Sequence, residues 1–314
     1  MNIRDIEAFI AVVDSGSIQA AAARLHLTQP AVTRRVQGLE QDLDTALLDR
    51  LSKPLKPTAA GREAYELGRR VLGSVQDLRS GIAANGEVAG EFRLGLTPLQ
   101  SDDSMAAQID GLRRAHPQLS LLITTAWSHE LLDQVESGRI DAALVYLPGE
   151  AAIPQTLSAH PVSRHRMQVV APKGLALPKR PTLADLAELP WVLSQDGCGF
   201  RRTLRDALTR AGLPFVVAVE SLGVEMRMAL VARGLGLGLA TEQLRERSRY
   251  RDAVEVLDVR DFKAEIRIWL VHRAEAGRLT ALLARFASEL KEAATSPPAR
   301  AGKQEKRRSV ARRA

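Results

Sequence analysis

Residues 17 to 43, SIQAAAARLHLTQPAVTRRVQGLEQDL, constrain the fold of this chain more than any other stretch. They predict two helices joined by a tight turn. The first begins after Gly16-Ser17, where the Ser17 hydroxyl can cap free backbone N–H groups, and its apolar positions Ile18, Ala21, Ala22 and Leu25 fall at helical spacing. The second begins at Thr28, another good N-cap, with Pro30 in the first turn where a missing N–H costs nothing. Val32, Val36, Leu39 and Leu43 form one apolar stripe on it. Pro30, Arg34, Gln37 and Gln41 lie opposite, with Thr33 on the flank. Arg forks onto guanine O6/N7, Gln onto adenine N6/N7, and small groups meet a thymine methyl. A helix buried on one side and carrying Arg, Gln and Thr on the other is what a major-groove reader needs. Taken alone, the same pattern also suits an ordinary helical hairpin with a solvated polar face.

The elements around it extend the pattern. Ile6, Phe9, Ile10 and Val13 repeat at helical spacing, and Gly16 ends that helix, which closes a three-helix core. In ALLDRLSKPLKP (46–57), Pro54 and Pro57 bar a helix, and Leu47, Leu51 and Leu55 suggest a short ribbon with a basic tip. Thr58 caps a long helix to about Ile82. Ala60, Ala64, Leu67, Val71, Val75, Leu78 and Ile82 form its stripe. Asn85 to Gly90 reads as a hinge. From Glu91, strands and helices alternate, which predicts an α/β sheet with ligands at the carboxyl ends of its strands.

The segment AAAARLHLTQPAVTRRVQGLEQDL resembles the recognition segment of the LysR-type transcriptional regulators, bacterial DNA-binding activators and repressors that respond to small molecules. The similarity continues in order from residue 3 to about residue 290. It implies an α/β fold class with an all-α-dominated N-terminal winged helix-turn-helix (1–58). A linker and dimerisation helix with its hinge (59–90) follows. A two-lobed effector domain like the type 2 periplasmic binding proteins takes 91–294, with lobe one at 91–162 plus 270–292 and lobe two at 163–269. A basic disordered tail (295–314) ends the chain. The departures are Thr45 where the family usually has Gly, Leu48 for Phe, and Pro57 for the Leu before Thr-x-x-Gly, which read as packing variation. The candidate DNA contacts are Thr28, Gln29, Pro30, Thr33, Arg34, Arg35 and Gln37, with Arg50 and Lys53 matching the family's wing. The resemblance also implies a pseudo-palindromic DNA operator, a dimer or dimer of dimers, and contact with RNA polymerase.

Composition supports this without deciding it. At 314 residues, the chain has room for two or three domains with ample core. The net charge of +7 invites a nucleic-acid argument, but eight Lys and Arg against two Glu lie from Lys291 onward. Residues 1 to 58 hold seven basic and seven acidic side chains, so DNA binding there must rest on clustering: Arg24, Arg34 and Arg35, then Arg50, Lys53 and Lys56. No apolar run suits a membrane span, and MNIRDIEAFI lacks a signal-peptide core. One cysteine fits a reducing compartment, so the expectation is a cytoplasmic protein.

A ligand in the cleft between lobes should touch residues just past the strand ends. The candidates are Thr97, Gln100, Ser101, Trp127, Ser128, His129, Tyr146, Cys198, Phe200, Arg201, Ser221 and Thr241. Thr97, Ser101 and Ser128 offer hydroxyls. Helix N-termini near Ser101 and Phe200, with Arg201, favour an anionic metabolite. No cofactor, metal or catalytic residue is expected. The six histidines lack metal spacing. Gly234, Gly236 and Gly238 follow a helix and precede a strand, the reverse of a dinucleotide loop. No nucleophile elbow appears. The competing functions are a ligand-independent repressor of the same type and a small-molecule-binding transport protein. The N-terminal 58 residues argue against the second.

Overall fold

A computed structural model describes residues 1–82, 88–148 and 153–295. Residues 85–87 of the expected hinge, and all but the first residue of the expected tail, are outside the described residues; Gly90, expected to end the hinge, opens the first strand of the sheet that follows.

Three helices, α1 (Ile3–Ser15), α2 (Ile18–Arg24) and α3 (Gln29–Asp42), form the N-terminal core. Gly16 ends α1 in the left-handed region (φ 62°), and a Cβ there would lie 2.8 Å from Pro54 Cβ. Ser17 Oγ accepts from the Ala20 N–H at 3.4 Å and so caps α2. Thr28 has N-cap backbone geometry, but its hydroxyl makes no capping bond. Phe9, Val12, Ala21, Val32, Val36 and Leu39 interlock in the core. Fully burying a side chain such as Phe9 stabilises by roughly 1.5–3 kcal/mol. Leu43, expected on the stripe of α3, sits at the C-cap instead and is 44% exposed.

A two-residue ribbon, β1 (Leu48–Asp49) against β2 (Lys56–Pro57), forms the wing. Leu47 and Leu48 are buried, while Leu51 at the tip is 96% exposed. Helix α4 (Ala59–Ile82) starts at Thr58, whose Oγ1 accepts from the Gly61 N–H at 2.9 Å and donates to the Ala46 carbonyl at 2.8 Å. Gly61 is needed there, because a Cβ would lie 1.9 Å from the Leu47 carbonyl oxygen. Higher on α4, Gly68 crosses α1 closely, since a Cβ would meet Ile6 Cγ2 at 2.8 Å. The apolar positions of α4 therefore divide. Ala60, Ala64, Tyr65 and Leu72 pack on the N-terminal core, whereas Leu67, Val71 and Leu78 stay exposed. The side chain of Ile82 lies outside the described residues.

The rest is α/β. Strands β3 (Gly90–Leu96), β4 (Leu119–Thr125) and β5 (Ala142–Pro148) pair in parallel and alternate with α5 (Asp103–Ala115) and α6 (Ser128–Glu136). The long strand β6 (Leu157–Pro172) follows, then α7 (Leu183–Leu186), β7 (Trp191–Leu193), α8 (Gly199–Arg210), β8 (Val217–Glu220) and α9 (Val224–Ala232). After these come β9 (Leu237–Thr241), α10 (Glu242–Arg247), β10 (Val254–Leu257), β11 (Glu265–Arg273) and α11 (Thr280–Thr295). Strand order is β4-β3-β5-β11-β6-β9-β7-β8, with β10 on β6. The first part of β6 pairs antiparallel with β11, and its last part pairs with β9 and β10. One strand thus serves two lobes, and β11 returns the chain to the first. The sequence reading contained no β10 and no α10. Val254–Leu257 is short and only partly buried, so its alternation is weak. Each lobe has its own core, one around Phe92, Leu144 and Phe286, the other around Trp191, Leu204 and Leu237. No helix among the described residues is long and apolar enough to cross a membrane.

Candidate nucleic-acid interface and effector cleft

Helix α3 buries Val32, Val36 and Leu39 and turns the opposite face to solvent. Thr28, Gln29, Pro30, Arg34 and Gln37 are exposed, and Thr33 and Arg35 are half-buried. Among the described residues nothing hydrogen-bonds or pairs with the side chains of Gln29, Arg34, Arg35 or Gln37. A row of long polar side chains held on a rigid helix with no internal partners is free to fork onto base edges.

The wing is fixed to this helix by one carboxylate. Glu40 Oε1 accepts from the Leu47 and Leu48 N–H groups at 2.9 and 3.3 Å, and Oε2 accepts from Arg50 Nη2 at 2.7 Å. Sequence spacing does not reveal this role of Glu40, because two of its partners are turn amides. Arg50 and Lys53 are exposed on the wing, beside a tip tightened by Asp49. Asp49 takes the Ser52 hydroxyl at 2.6 Å and the Leu51 N–H at 3.0 Å, and these bonds hold its carboxyl below the usual range.

Of the candidate cleft residues, Trp127, Tyr146, Cys198 and Phe200 share one apolar cluster and Ser128 is bonded to Tyr146, though most of the candidates' polar groups already have internal partners. Thr97 is buried and donates its hydroxyl to Gln100 Oε1 at 3.0 Å, and its N–H goes to the same oxygen. The Thr-x-x-Gln spacing of a capping box carried this signal in the sequence. Gln100 Nε2 is buried with no hydrogen-bond partner. Ser128 Oγ accepts from the Tyr146 N–H at 3.0 Å. The Tyr146 ring meets Phe200 edge-on at 5.7 Å, and burial pushes its hydroxyl pKa far up. Cys198 is buried in the same apolar cluster. Ser101 and His129 are exposed at the rim.

Arg201 is engaged: Nη1 donates to Glu220 Oε1 at 2.6 Å and to the Ser194 carbonyl at 3.0 Å. Thr241 caps α10 through its hydroxyl. Ser221 gives its carbonyl to Arg227 at 2.7 Å, a buried guanidinium that burial pushes down in pKa and that the sequence reading missed. The two lobes touch across the cleft. Gly197 (φ +99°) abuts Trp127 of lobe one, where a Cβ would lie 2.7 Å from the indole Cδ1. Arg247 Nη1 reaches Asp102 at 2.7 Å. Among the described residues, no group of three or more His, Cys, Asp or Glu is placed to hold a metal ion.

Comparison with known proteins agrees with this architecture. The profile "Bacterial regulatory helix-turn-helix protein, lysR family" matches residues 3–62, and "LysR substrate binding domain" matches residues 85–295. A "Hydrogen peroxide-inducible genes activator" from Pectobacterium carotovorum subsp. carotovorum is 29% identical over 87% of this chain and 90% of its own length. Among solved structures, a full-length OxyR variant from Pseudomonas aeruginosa is 21% identical and superposes with a TM-score of 0.72 over 93% of this chain and 95% of its own. CbnR in complex with its target DNA is 23% identical, with a TM-score of 0.60 over 93% of this chain and the whole of its own. With an unengaged recognition face, a wing clamped beside it and a two-lobed substrate-binding fold behind, the chain belongs to the LysR family of DNA-binding transcriptional regulators.

Proposed function

We propose that this regulator binds a pseudo-palindromic operator as a dimer and that a small molecule in the cleft between the lobes alters how it does so. The observation that carries the DNA reading is the partnerless face of α3, with Arg34 and Gln37 aimed outward and Arg50 and Lys53 on the adjoining wing. One winged helix reads few base pairs, and a two-fold dimer doubles the contacts. Two separate exposed apolar faces support assembly beyond a dimer. One is Leu67, Val71 and Leu78 on α4, and the other is the free edge of β4, where Leu122 and Ile123 are exposed on its two sides. A dimer of dimers requires two such faces. Contact with RNA polymerase and a cytoplasmic location follow from the same reading.

Gln100 Nε2 supports the effector reading. A buried donor left unpaired costs roughly 1–3 kcal/mol, and a ligand acceptor in the cleft removes that cost. For the charge of an anionic ligand, Arg201 is the candidate on lobe two: its Nε is buried without a hydrogen-bond partner, and its partner Glu220 is 45% exposed, free to turn into water. Some relatives are named for hydrogen peroxide. With Cys198 the chain's one cysteine, an intramolecular disulfide is unavailable here, which favours reversible ligand binding. The test is fluorescence-anisotropy binding to the DNA upstream of the protein's own reading frame, against a scrambled duplex, at about 150 mM salt. A preference of roughly a thousandfold or more supports the reading. Equal binding to both duplexes contradicts it. A screen of carboxylates in the same assay separates a ligand-responsive regulator from a ligand-independent repressor.

A further inference from the structure

At the end of the sheet opposite the cleft, α1, α2 and α4 meet lobe one around a cavity of about 380 Å³. Its wall carries five arginines, Arg24, Arg69, Arg93, Arg273 and Arg278, against four carboxylates. Most of these charges are matched. Asp14 takes Arg24 at 3.1 Å and Arg69 at 3.6 Å, and Glu91 pairs with Arg93. Asp141 accepts the Arg93 N–H at 2.7 Å, and burial pushes its carboxyl up, toward the neutral form.

Two cations are left under-used. The Arg69 side chain is only 9% exposed, and its Nη1 donates to Tyr65 Oη at 2.9 Å. Its Nε and Nη2 are buried without a hydrogen-bond partner. Arg273 acts on Asp141 through its charge alone and donates no side-chain hydrogen bond among the described residues. Gly138 (φ +77°) leaves room for it, since a Cβ there would lie 3.0 Å from Arg273 Nη1. A guanidinium presents its donors in a rigid fork that matches planar or tetrahedral oxyanions. Burying such donors unpaired is costly, and the Asp14 charge and the Tyr65 ring and hydroxyl engage only part of the Arg69 guanidinium. The volume lies within the range of small-molecule sites.

We propose that this cavity is a second small-molecule site, for a compact oxyanion, with Arg69 and Arg273 as its charged anchors. It is separate from the cleft between the lobes. Gly90, Glu91 and Arg93 at one end of β3 line the cavity and Thr97 follows the other end. At roughly 3.3 Å of rise per residue, about 13 to 23 Å of strand separates the two sites. Its walls belong to the helix-turn-helix, to α4 and to lobe one together, so an occupant binds only when these are docked as seen here. Such a ligand holds the DNA-binding helices against lobe one, and by linkage operator DNA and the anion alter each other's affinity.

The test uses the full-length protein and two probes, inorganic phosphate and succinate, titrated by calorimetry at ionic strength matched with chloride. The expected result is saturable binding of at least one probe, weakened at least tenfold by Arg69→Gln and by Arg273→Gln. Which probe binds identifies the anion as phosphate-like or carboxylate-like. Arg273 lies on a different element from Arg69, so a folding defect confined to the Arg69 variant leaves the test standing. Saturable binding of neither probe overturns the proposal. So does binding that survives both arginine substitutions.

Discussion

Glu40 Oε2 stands 2.7 Å from Arg50 Nη2, and this contact joins the recognition helix to the wing. The other oxygen of the same carboxylate takes two backbone N–H groups at the start of the ribbon. Glu40 is mostly buried while Arg50 is 57% exposed, so the amide bonds fix the ribbon and the arginine remains free to leave for a phosphate.

Replacing Glu40 with Ala is therefore expected to strand the Leu47 and Leu48 amides. The loss is roughly 1–3 kcal/mol of stability, read by urea unfolding. Glu40→Gln keeps an acceptor for the amides and recovers most of it. If both substitutions leave stability unchanged, the ribbon is held by something else.

Gly61→Ala tests the join between wing and linker helix. The added Cβ would have to share space with the Leu47 carbonyl oxygen, and backbone cannot yield as a flexible side chain does. Despite the better helix propensity of Ala, the variant should lose at least about 1–3 kcal/mol. A gain in melting temperature would show that α4 does not start against the wing.

The cleft assignment predicts a separation of functions. Thr97→Ala removes the hydroxyl beside Gln100, and Gln100→Leu removes the unpaired donor itself. Both should leave operator affinity intact and blunt the response to whichever metabolite shifts it in the wild type. An undiminished response in both variants would place the effector elsewhere.

Stability should also fall in acid through His272. Its ring is buried, its Nε2 lies 3.0 Å from His160 Nε2, and its Nδ1 lies 2.6 Å from the Arg273 carbonyl oxygen. Burial holds its pKa below the ordinary value of 6.5, with the neighbouring His160 adding to the shift. The unfolded chain thus takes up a proton at a pH where the folded chain does not. The contribution is fully present above about pH 6.5 and is lost as pH falls through the lowered folded value. Melting temperature measured between about pH 7.5 and 5 should drop, and drop less in His272→Gln. An equal drop in both would assign the acid sensitivity to other groups.

Much of this was legible in the chain. Gly16, Ser17 and Pro30 punctuate the N-terminal helices, and the apolar spacing of α3 places Arg34 and Gln37 outward. The alternation after Glu91 predicted an α/β sheet, because buried parallel strands read as apolar runs, while its division into two lobes was implied by the family resemblance. What the sequence did not show depends on distant partners. The division of the α4 stripe at Gly68, the engagement of Arg201 by Glu220 and the clasp between Arg247 and Asp102 each join residues well apart in the chain. The cavity behind Arg69 is of the same kind, since its walls come from α1, α2, α4 and lobe one, which only the folded chain brings together.

The most direct test of the account is the affinity of Arg34→Ala for operator and for scrambled DNA, measured side by side at one stated salt concentration. A base-reading arginine predicts a loss of roughly 1–3 kcal/mol on the operator and little on the scrambled duplex. An equal loss on both would make Arg34 a phosphate contact and contradict the reading of α3 as the helix that selects the sequence.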